Sequence, residues 1–257
     1  MNNQPLVTII TPSLNQSQYI EDTIKSVLSQ SYPNIEYIVM DGGSIDGTIE
    51  VIKKYESKIS HWESVSDKGQ TNAINKGLKI ARGKYWGWLN SDDYLAPDVV
   101  ERVVAAFESD LETGTVYGKI NIIDSAGNLI EQRSNNGIVT YEGLLNGSSN
   151  VVQIGAFHRL DLIKKYGYLS EEYNYCMDYD LWLRLAKCSG VKNLGILVGY
   201  HRFHDSCKSI KEFHKFIPEI KLIRKHNHGK IICQKNYNLW RIQLGILRRK
   251  LLGIITK

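Results

Sequence analysis

Three apolar segments of this 257-residue chain each end in a polar cluster that opens a helix, and that alternation restricts the fold more than any other feature. Leu6-Val7-Thr8-Ile9-Ile10-Thr11 is apolar and β-branched and reads as a buried strand closed by Pro12. It leads through Ser13-Leu14-Asn15 to a helical pattern from Tyr19 to Gln30. Glu36 to Met40 is a second strand, followed by the loop Asp41-Gly42-Gly43-Ser44-Ile45-Asp46-Gly47-Thr48 and a helix to about Tyr55. Tyr85-Trp86-Gly87-Trp88-Leu89 ends in Asn90-Ser91-Asp92-Asp93, ahead of a helix starting near Pro97. Strand, polar loop and helix in rotation specify βαβ units around a mostly parallel sheet flanked by helices, an α/β fold. Such sheets bind ligands at the carboxyl ends of their strands. One polar strand end is ordinary; three point to a site.

The acidic cluster carries the chemistry. Carboxylates this close repel unless a cation or a proton neutralises them. A divalent ion that also holds a phosphate fits, because Mg²⁺-type sites use one or two carboxylates plus substrate phosphates. The competing reading is a polar turn in which Asp92 or Asp93 caps the next helix. Other phosphate folds are excluded: there is no Gly-x-x-x-x-Gly-Lys loop and no Gly-x-Gly-x-x-Gly after a strand. The Asp41 loop is no EF-hand, lacking acids at its third and fifth positions and Glu at its twelfth.

A hydrophobic content of 42% supports one large α/β domain, or a domain with an appendage. The start Met-Asn-Asn-Gln-Pro has neither the basic region nor the apolar stretch of a signal peptide. No segment approaches the ~18 to 20 apolar residues that span a bilayer. Cys176, Cys188, Cys207 and Cys233 lack zinc-ribbon or Cys-x-x-Cys spacing, and free thiols in a reducing compartment imply the cytoplasm. Charge is uneven: residues 206–257 hold 13 Lys and Arg against Glu212 and Glu219, a balance of +11, whereas the whole chain is +5. This basic tail reads as two helices, roughly Ser209 to His226 and Asn236 to Ile255. In the second, Trp240, Leu244, Leu247, Leu251 and Ile254 form an apolar stripe beside Arg241, Arg248, Arg249 and Lys250. That pattern suits peripheral contact with an anionic membrane, or packing on the chain's own domain. Only the positive charge speaks for nucleic acid, and no nucleic-acid partner is expected.

The motifs resemble those of the inverting glycosyltransferases of family 2, which have the GT-A fold and use nucleoside-diphosphate sugars. The matching pieces stand in the family's order: Thr11 to Asn15, Asp41 to Thr48, Asp67-Lys68-Gly69-Gln70 running into Asn72 to Gly77, Asn90 to Asp93, Met177 to Arg184, and Arg202-Phe203-His204. They cover about residues 5 to 207. The resemblance implies a catalytic domain over residues 1–205, with a nucleotide-sugar half to about 120 and an acceptor half from about 121, and a helical tail over 206–257. The chain departs from the usual pattern at Asn90, where most relatives have the first Asp of an Asp-x-Asp metal motif. It departs again at Gly42, which replaces an acid, and at Met177, often a Glu.

Residue by residue, the resemblance makes Asp41 the partner of a uracil- or thymine-like base, with helix capping as the alternative and Asp46 the better cap. Thr11, Pro12 and Asn15 are expected at the ribose and base, and Asp67, Lys68, Asn90 and Ser91 at the nucleotide, with plain helix capping as the alternative for Thr11, Asn15, Asp67 and Lys68. Asp92 is the first-choice ligand of a divalent metal, Mn²⁺ or Mg²⁺; His204 matches a position that closes over the metal or the diphosphate, with a purely structural histidine as the alternative, and Asp93 orients the donor sugar or supports Asp92. Asp178 matches the family's general base, although an Asp opening a helix is favourable without any catalytic task. Gln153 is an acceptor-side contact, while Trp182 and Leu185 belong in the core. Asn90→Asp restores the commoner motif and is expected to be tolerated. The implied activity is transfer from a UDP- or dTDP-sugar to a glycan or polyprenyl-linked acceptor, in bacterial surface polysaccharide assembly at the inner face of the membrane. A sugar-nucleotide pyrophosphorylase needs a glycine-rich, Arg-containing loop after the first strand, which Thr11 to Asn15 is not. A non-catalytic nucleotide-sugar-binding protein stays open at this point.

Overall fold

The alternation read from the sequence forms one mixed sheet in the computed structural model, which describes residues 4–134 and 137–227. In chain order the elements are β1 (Val7–Ser13), α1 (Ile20–Leu28), β2 (Ile35–Asp41), α2 (Thr48–Lys54), β3 (His61–Ser64), α3 (Gln70–Ile80), β4 (Tyr85–Trp88), β5 (Tyr94–Leu95) and α4 (Val99–Ser109). Then follow β6 (Thr113–Ile123), β7 (Leu129–Arg133), α5 (Tyr141–Asn146), β8 (Phe157–Arg159), α6 (Leu160–Tyr166), α7 (Met177–Ala186), β9 (Gly190–Arg202), α8 (Lys208–Lys211) and α9 (Phe216–His226). The strand order is β3-β2-β1-β4-β8-β6-β9-β5, with β7 paired to the outer part of β6. Strands β1 to β4 are parallel, β8 runs against both β4 and β6, β9 is parallel to β6, and β5 is antiparallel to β9.

Alternating side chains feed two cores. Val7, Ile9, Tyr37, Val39 and Tyr85 face the helices α1, α2 and α4. Ile10, Ile38, Met40, Trp86 and Trp88 face α3, α6, α7 and α9. The expected core positions Trp182 and Leu185 are buried in the second of these cores. Between the two tryptophans, a Cβ at Gly87 would lie 2.8 Å from the Ala156 carbonyl oxygen, so the bare glycine admits the strand beside it.

Strand β1 continues through Pro12 rather than stopping at it. Ile10 C=O accepts from Leu89 N–H on the β4 side and Ser13 C=O accepts from Gly42 N–H on the β2 side. By alternation Pro12 faces the β4 side beyond the last β1–β4 pair, Ile10 with Trp88, so its missing N–H breaks no ladder bond. The expected division near residue 120 falls inside β6, and one sheet runs through both halves.

The sheet also curls. Strands β4 and β5 are four steps apart in it, about 19 Å if flat. Yet the link between them is a tight turn in which Asp93 N–H reaches Asn90 C=O at 3.1 Å. Curling brings the end of β9 to the acidic turn that follows β4.

Within residues 206–227 the expected first tail helix is broken into α8, a short 3-10 turn and α9, with Pro218 in the first turn of α9 where no N–H is required. This segment packs on the body: Ile223 is fully buried among the residues around Trp182, and Tyr173 Oη meets His226 Nδ1 at 2.9 Å. The second expected tail helix, Asn236 to Ile255, lies outside the described residues, as does Cys233. Among the described residues Cys176, Cys188 and Cys207 are free thiols, and no helix is long and apolar enough to cross a membrane.

Candidate active site

The three polar strand ends converge. After β1, Asn15 adopts a left-handed backbone (φ 52°), which asparagine tolerates, and its side-chain oxygen accepts the Ile45 N–H at 3.0 Å. Its own N–H donates to Ser44 Oγ at 2.7 Å, tying the first loop to the second. The Asp41 carboxylate is buried and accepts from Gly43 N–H, Ser44 N–H, Ser44 Oγ and Ser64 Oγ at 2.5–3.0 Å. It therefore organises its own loop. Burial works to raise the Asp46 carboxyl, but the Thr48 hydroxyl at 2.5 Å, Ser17 N–H at 3.0 Å and Thr48 N–H at 3.1 Å donate to it and hold it down at about 2. It thus bonds the first amide of α2, whose cap residue is Gly47.

Thr11 and Pro12 are buried in β1, and Thr11 Oγ1 lies 3.1 Å from Tyr37 Oη, so their side chains line the sheet rather than an open pocket. Asp67 accepts the Gly69 N–H at 2.7 Å ahead of α3, and Lys68 beside it is exposed. A Cβ at Gly42 would lie 3.0 Å from Asp67 Oδ2, so an acid at position 42 would crowd Asp67.

At the acidic turn, Asn90 is a junction. Its Oδ1 accepts from Gln70 Nε2 at 2.7 Å, while its Nδ2 donates to Asp93 Oδ2 at 3.2 Å and to Gln153 Oε1 at 3.3 Å. Gln153 in turn donates to the Trp88 carbonyl at 2.8 Å. Ser91 is buried. Asp93 is 1% exposed, and burial, with the Asp92 charge adding to it, pushes its carboxyl well above the usual carboxylate range; N–H donors from Arg202 and Asn90 oppose the rise. Asp93 thus supports the turn from behind and offers no ligand atom to solvent.

Asp92 points the other way. Its Oδ2 lies 3.1 Å from His204 Nε2. His204 Nδ1 is 2.7 Å from Ser206 Oγ, which can accept a hydrogen bond from Nδ1–H and so leave the Nε2 lone pair available to a cation, and Tyr19 packs on the ring at 4.6 Å. Two atoms about 2.1 Å from one octahedral cation sit about 3 Å apart when adjacent, so the pair fits a divalent metal.

Two neighbours escaped the sequence reading. Cys207 has its sulfur within 4.8 Å of both the Asp92 oxygen and the His204 nitrogen, and burial followed by the Asp92 charge pushes its thiol up. Its place three residues after His204 is its signal. Arg202 belongs to a motif already noted. Its guanidinium bonds Asp22 at 2.7 Å, the Asp92 carbonyl at 3.2 Å and the Ser125 carbonyl at 3.2 Å, and it lies over the Tyr19 and Tyr94 rings.

Asp178 is the second residue of α7, half-buried, with its Oδ1 accepting the Tyr179 N–H at 2.7 Å. Burial raises its carboxyl to about 6, with backbone N–H groups opposing and the Glu219 charge adding. Such a carboxylate is suited to taking a proton near neutral pH. Lys208 interacts electrostatically with Asp178 and follows Cys207, so one short segment runs from the Asp92–His204 pair to the neighbourhood of Asp178.

Comparison with known proteins gives the family and the fold. The model of "Glycosyl transferase family 2" matches residues 8–166. The chain is 31% identical to a chondroitin synthase of Escherichia coli over 96% of its own length and 34% of that protein's. It is 30% identical to a hyaluronan synthase of Pasteurella multocida over 91% of its length and 23% of that protein's. It thus spans about a third or less of these relatives. Residues 1–349 of S. aureus TarS, solved with UDP-GlcNAc, superpose with a TM-score of 0.66 at 18% identity, covering 95% of this chain and 72% of that one, a likeness of fold. A family match over more than half its residues, on a GT-A fold with its acidic turn at the strand ends, makes this chain a member of glycosyltransferase family 2.

Proposed function

We propose that the chain transfers a sugar from a UDP- or dTDP-linked donor to a hydroxyl of a glycan or lipid-linked acceptor, inverting the anomeric carbon. The observation that carries this reading is the Asp92–His204 pair, closed at 3.1 Å where the polar strand ends converge. Asp92 and His204 would hold a divalent cation, Mn²⁺ or Mg²⁺, which when bound supplies Lewis-acid neutralisation of the departing diphosphate. The loops around Asn15, Asp41 and Asp67 hold the nucleotide, and Asn90, Asp93 and Gln153 keep the acidic turn in shape. Asp178 takes the acceptor hydroxyl proton as that oxygen bonds to the anomeric carbon and the bond to the diphosphate breaks on the opposite face. Names among its relatives point to polysaccharide assembly. The basic residues past 227 would draw a lipid-linked acceptor's membrane close, on the cytoplasmic side.

The test is release of nucleoside diphosphate from a panel of UDP- and dTDP-sugars, UDP-N-acetylglucosamine included, with Mn²⁺ and glycan oligosaccharides. Metal-dependent release with an inverted product is expected. A product of retained configuration, or no release from any donor, would overturn the reading.

A further inference from the structure

We infer that Glu219, on α9, is the positioning residue for the base, seating the entrance of the helix that carries Asp178. The inference rests on Asp178 being that base. Glu219 Oε1 accepts the Asn174 N–H at 2.9 Å, and its Oε2 accepts the N–H groups of Tyr175 at 2.8 Å and Cys176 at 2.9 Å. These three amides lead directly into Met177, the first residue of α7. A helix start carries N–H groups without intrahelical partners, ordinarily met by a Ser, Thr, Asp or Asn at the cap. Here the cap residue is Cys176, whose side chain makes no such bond, and a carboxylate 43 residues further along the chain bonds its N–H instead.

The brace is itself held. Ile223, one turn beyond Glu219, is fully buried. The Cys176 thiol donates to the Phe216 carbonyl at 3.7 Å, and Tyr175 Oη donates to the Glu212 carboxylate at 2.8 Å. The backbone that carries Asp178 therefore follows directly on a loop bonded at three consecutive amides. Two charges act on Asp178, Glu219 from α9 and Lys208 from α8, beside the backbone N–H groups of its own helix and the Cys176 thiol, which burial keeps neutral. Glu219 favours the protonated carboxyl and Lys208 the ionised one.

The variant Glu219→Gln keeps the size and one acceptor oxygen but removes the charge. Three readouts apply: NMR titration of isotopically labelled Asp carboxyls assigned with Asp178→Asn, UDP binding in Mn²⁺, and UDP release from UDP-N-acetylglucosamine. Glu219→Gln is expected to move the Asp178 midpoint to lower pH and cut kcat about 10-fold, with UDP affinity within about two-fold of the parent. Lys208→Gln is expected to move the midpoint the opposite way. A parent-like midpoint and kcat in a folded Glu219→Gln protein would overturn the inference. If that variant does not fold, Glu219→Asp, which keeps the charge but withdraws it by one methylene, decides instead: reduced kcat with UDP binding retained supports the brace, parent-like kcat overturns it. Undiminished transfer by Asp178→Asn would instead remove the base assignment itself.

Discussion

Asp92 Oδ2 meets His204 Nε2 at 3.1 Å although 112 residues separate the two in sequence. The contact exists because the curled sheet returns the end of β9 to the turn after β4. If the pair is a metal site, Asp92→Ala and His204→Ala should each weaken Mn²⁺-dependent UDP binding by at least about 10-fold, the scale seen when metal-site groups are lost. Calorimetry with and without Mn²⁺ measures this, and excess chelator should stop turnover. Full turnover in chelator would assign neutralisation of the diphosphate to Lys and Arg side chains.

Asp178→Asn should lower transfer by ~10²- to 10⁴-fold while UDP still binds, the usual loss when a general base is removed. In the parent the ionised carboxylate is the active form, so kcat/KM should rise as pH climbs through about 6 and level off above it.

The same carboxyl affects stability with a definite sign. Its folded value of about 6 lies above the ordinary 3.8, so between these values the folded state holds a proton that the unfolded state has released. Stability then falls as pH rises through that window, by roughly 1–3 kcal/mol. Asp178→Asn should remove this loss and melt a few degrees above the parent at neutral pH, as measured by scanning calorimetry. A variant melting below the parent at pH 7 would contradict the sign.

Asn90→Asp reverses an expectation. The sequence motif favours the substitution, but Asn90 Nδ2 donates to the buried Asp93 and to Gln153. An aspartate there loses both donors and places a second charge against a carboxyl already raised by burial and by Asp92. Denaturant melts should show a loss of about 1–3 kcal/mol. A variant as stable as the parent without metal would mean that Asp93 stays protonated and donates in place of the lost amide.

Deleting 236–257 should abolish salt-sensitive binding to anionic vesicles and leave a folded protein, because each basic residue near such a surface contributes about 1 kcal/mol. A truncated protein that unfolds or precipitates would assign the stripe from Trp240 to Ile254 to the core instead. Deleting 216–257 should destabilise the body, since it strips Ile223 from the core around Trp182. Vesicle binding undiminished without 236–257 would relocate the membrane contact.

What was legible in the sequence was whatever local pattern encodes. Apolar runs ending in Thr11, Met40 and Leu89 set the parallel strands, and the polar residues that follow them mark the carboxyl edge. Asp92, His204 and Asp178 stood out as candidates because each sits in a short motif. Pairing was not legible. Pro12 looked like a strand end because the side of the sheet its missing N–H would face depends on where β4 stops. Asn90 looked replaceable because its bonds run to Gln70, Asp93 and Gln153, of which only Asp93 is near in sequence. Glu219 looked like a minor acid in a basic helix, and only tertiary packing sets its carboxylate on the amides before Asp178. Hydrophobic period and turn chemistry act over a few residues and are written along the chain. The partners of a buried polar group are chosen by how the sheet curls and where a distant helix docks, which no local stretch of sequence contains.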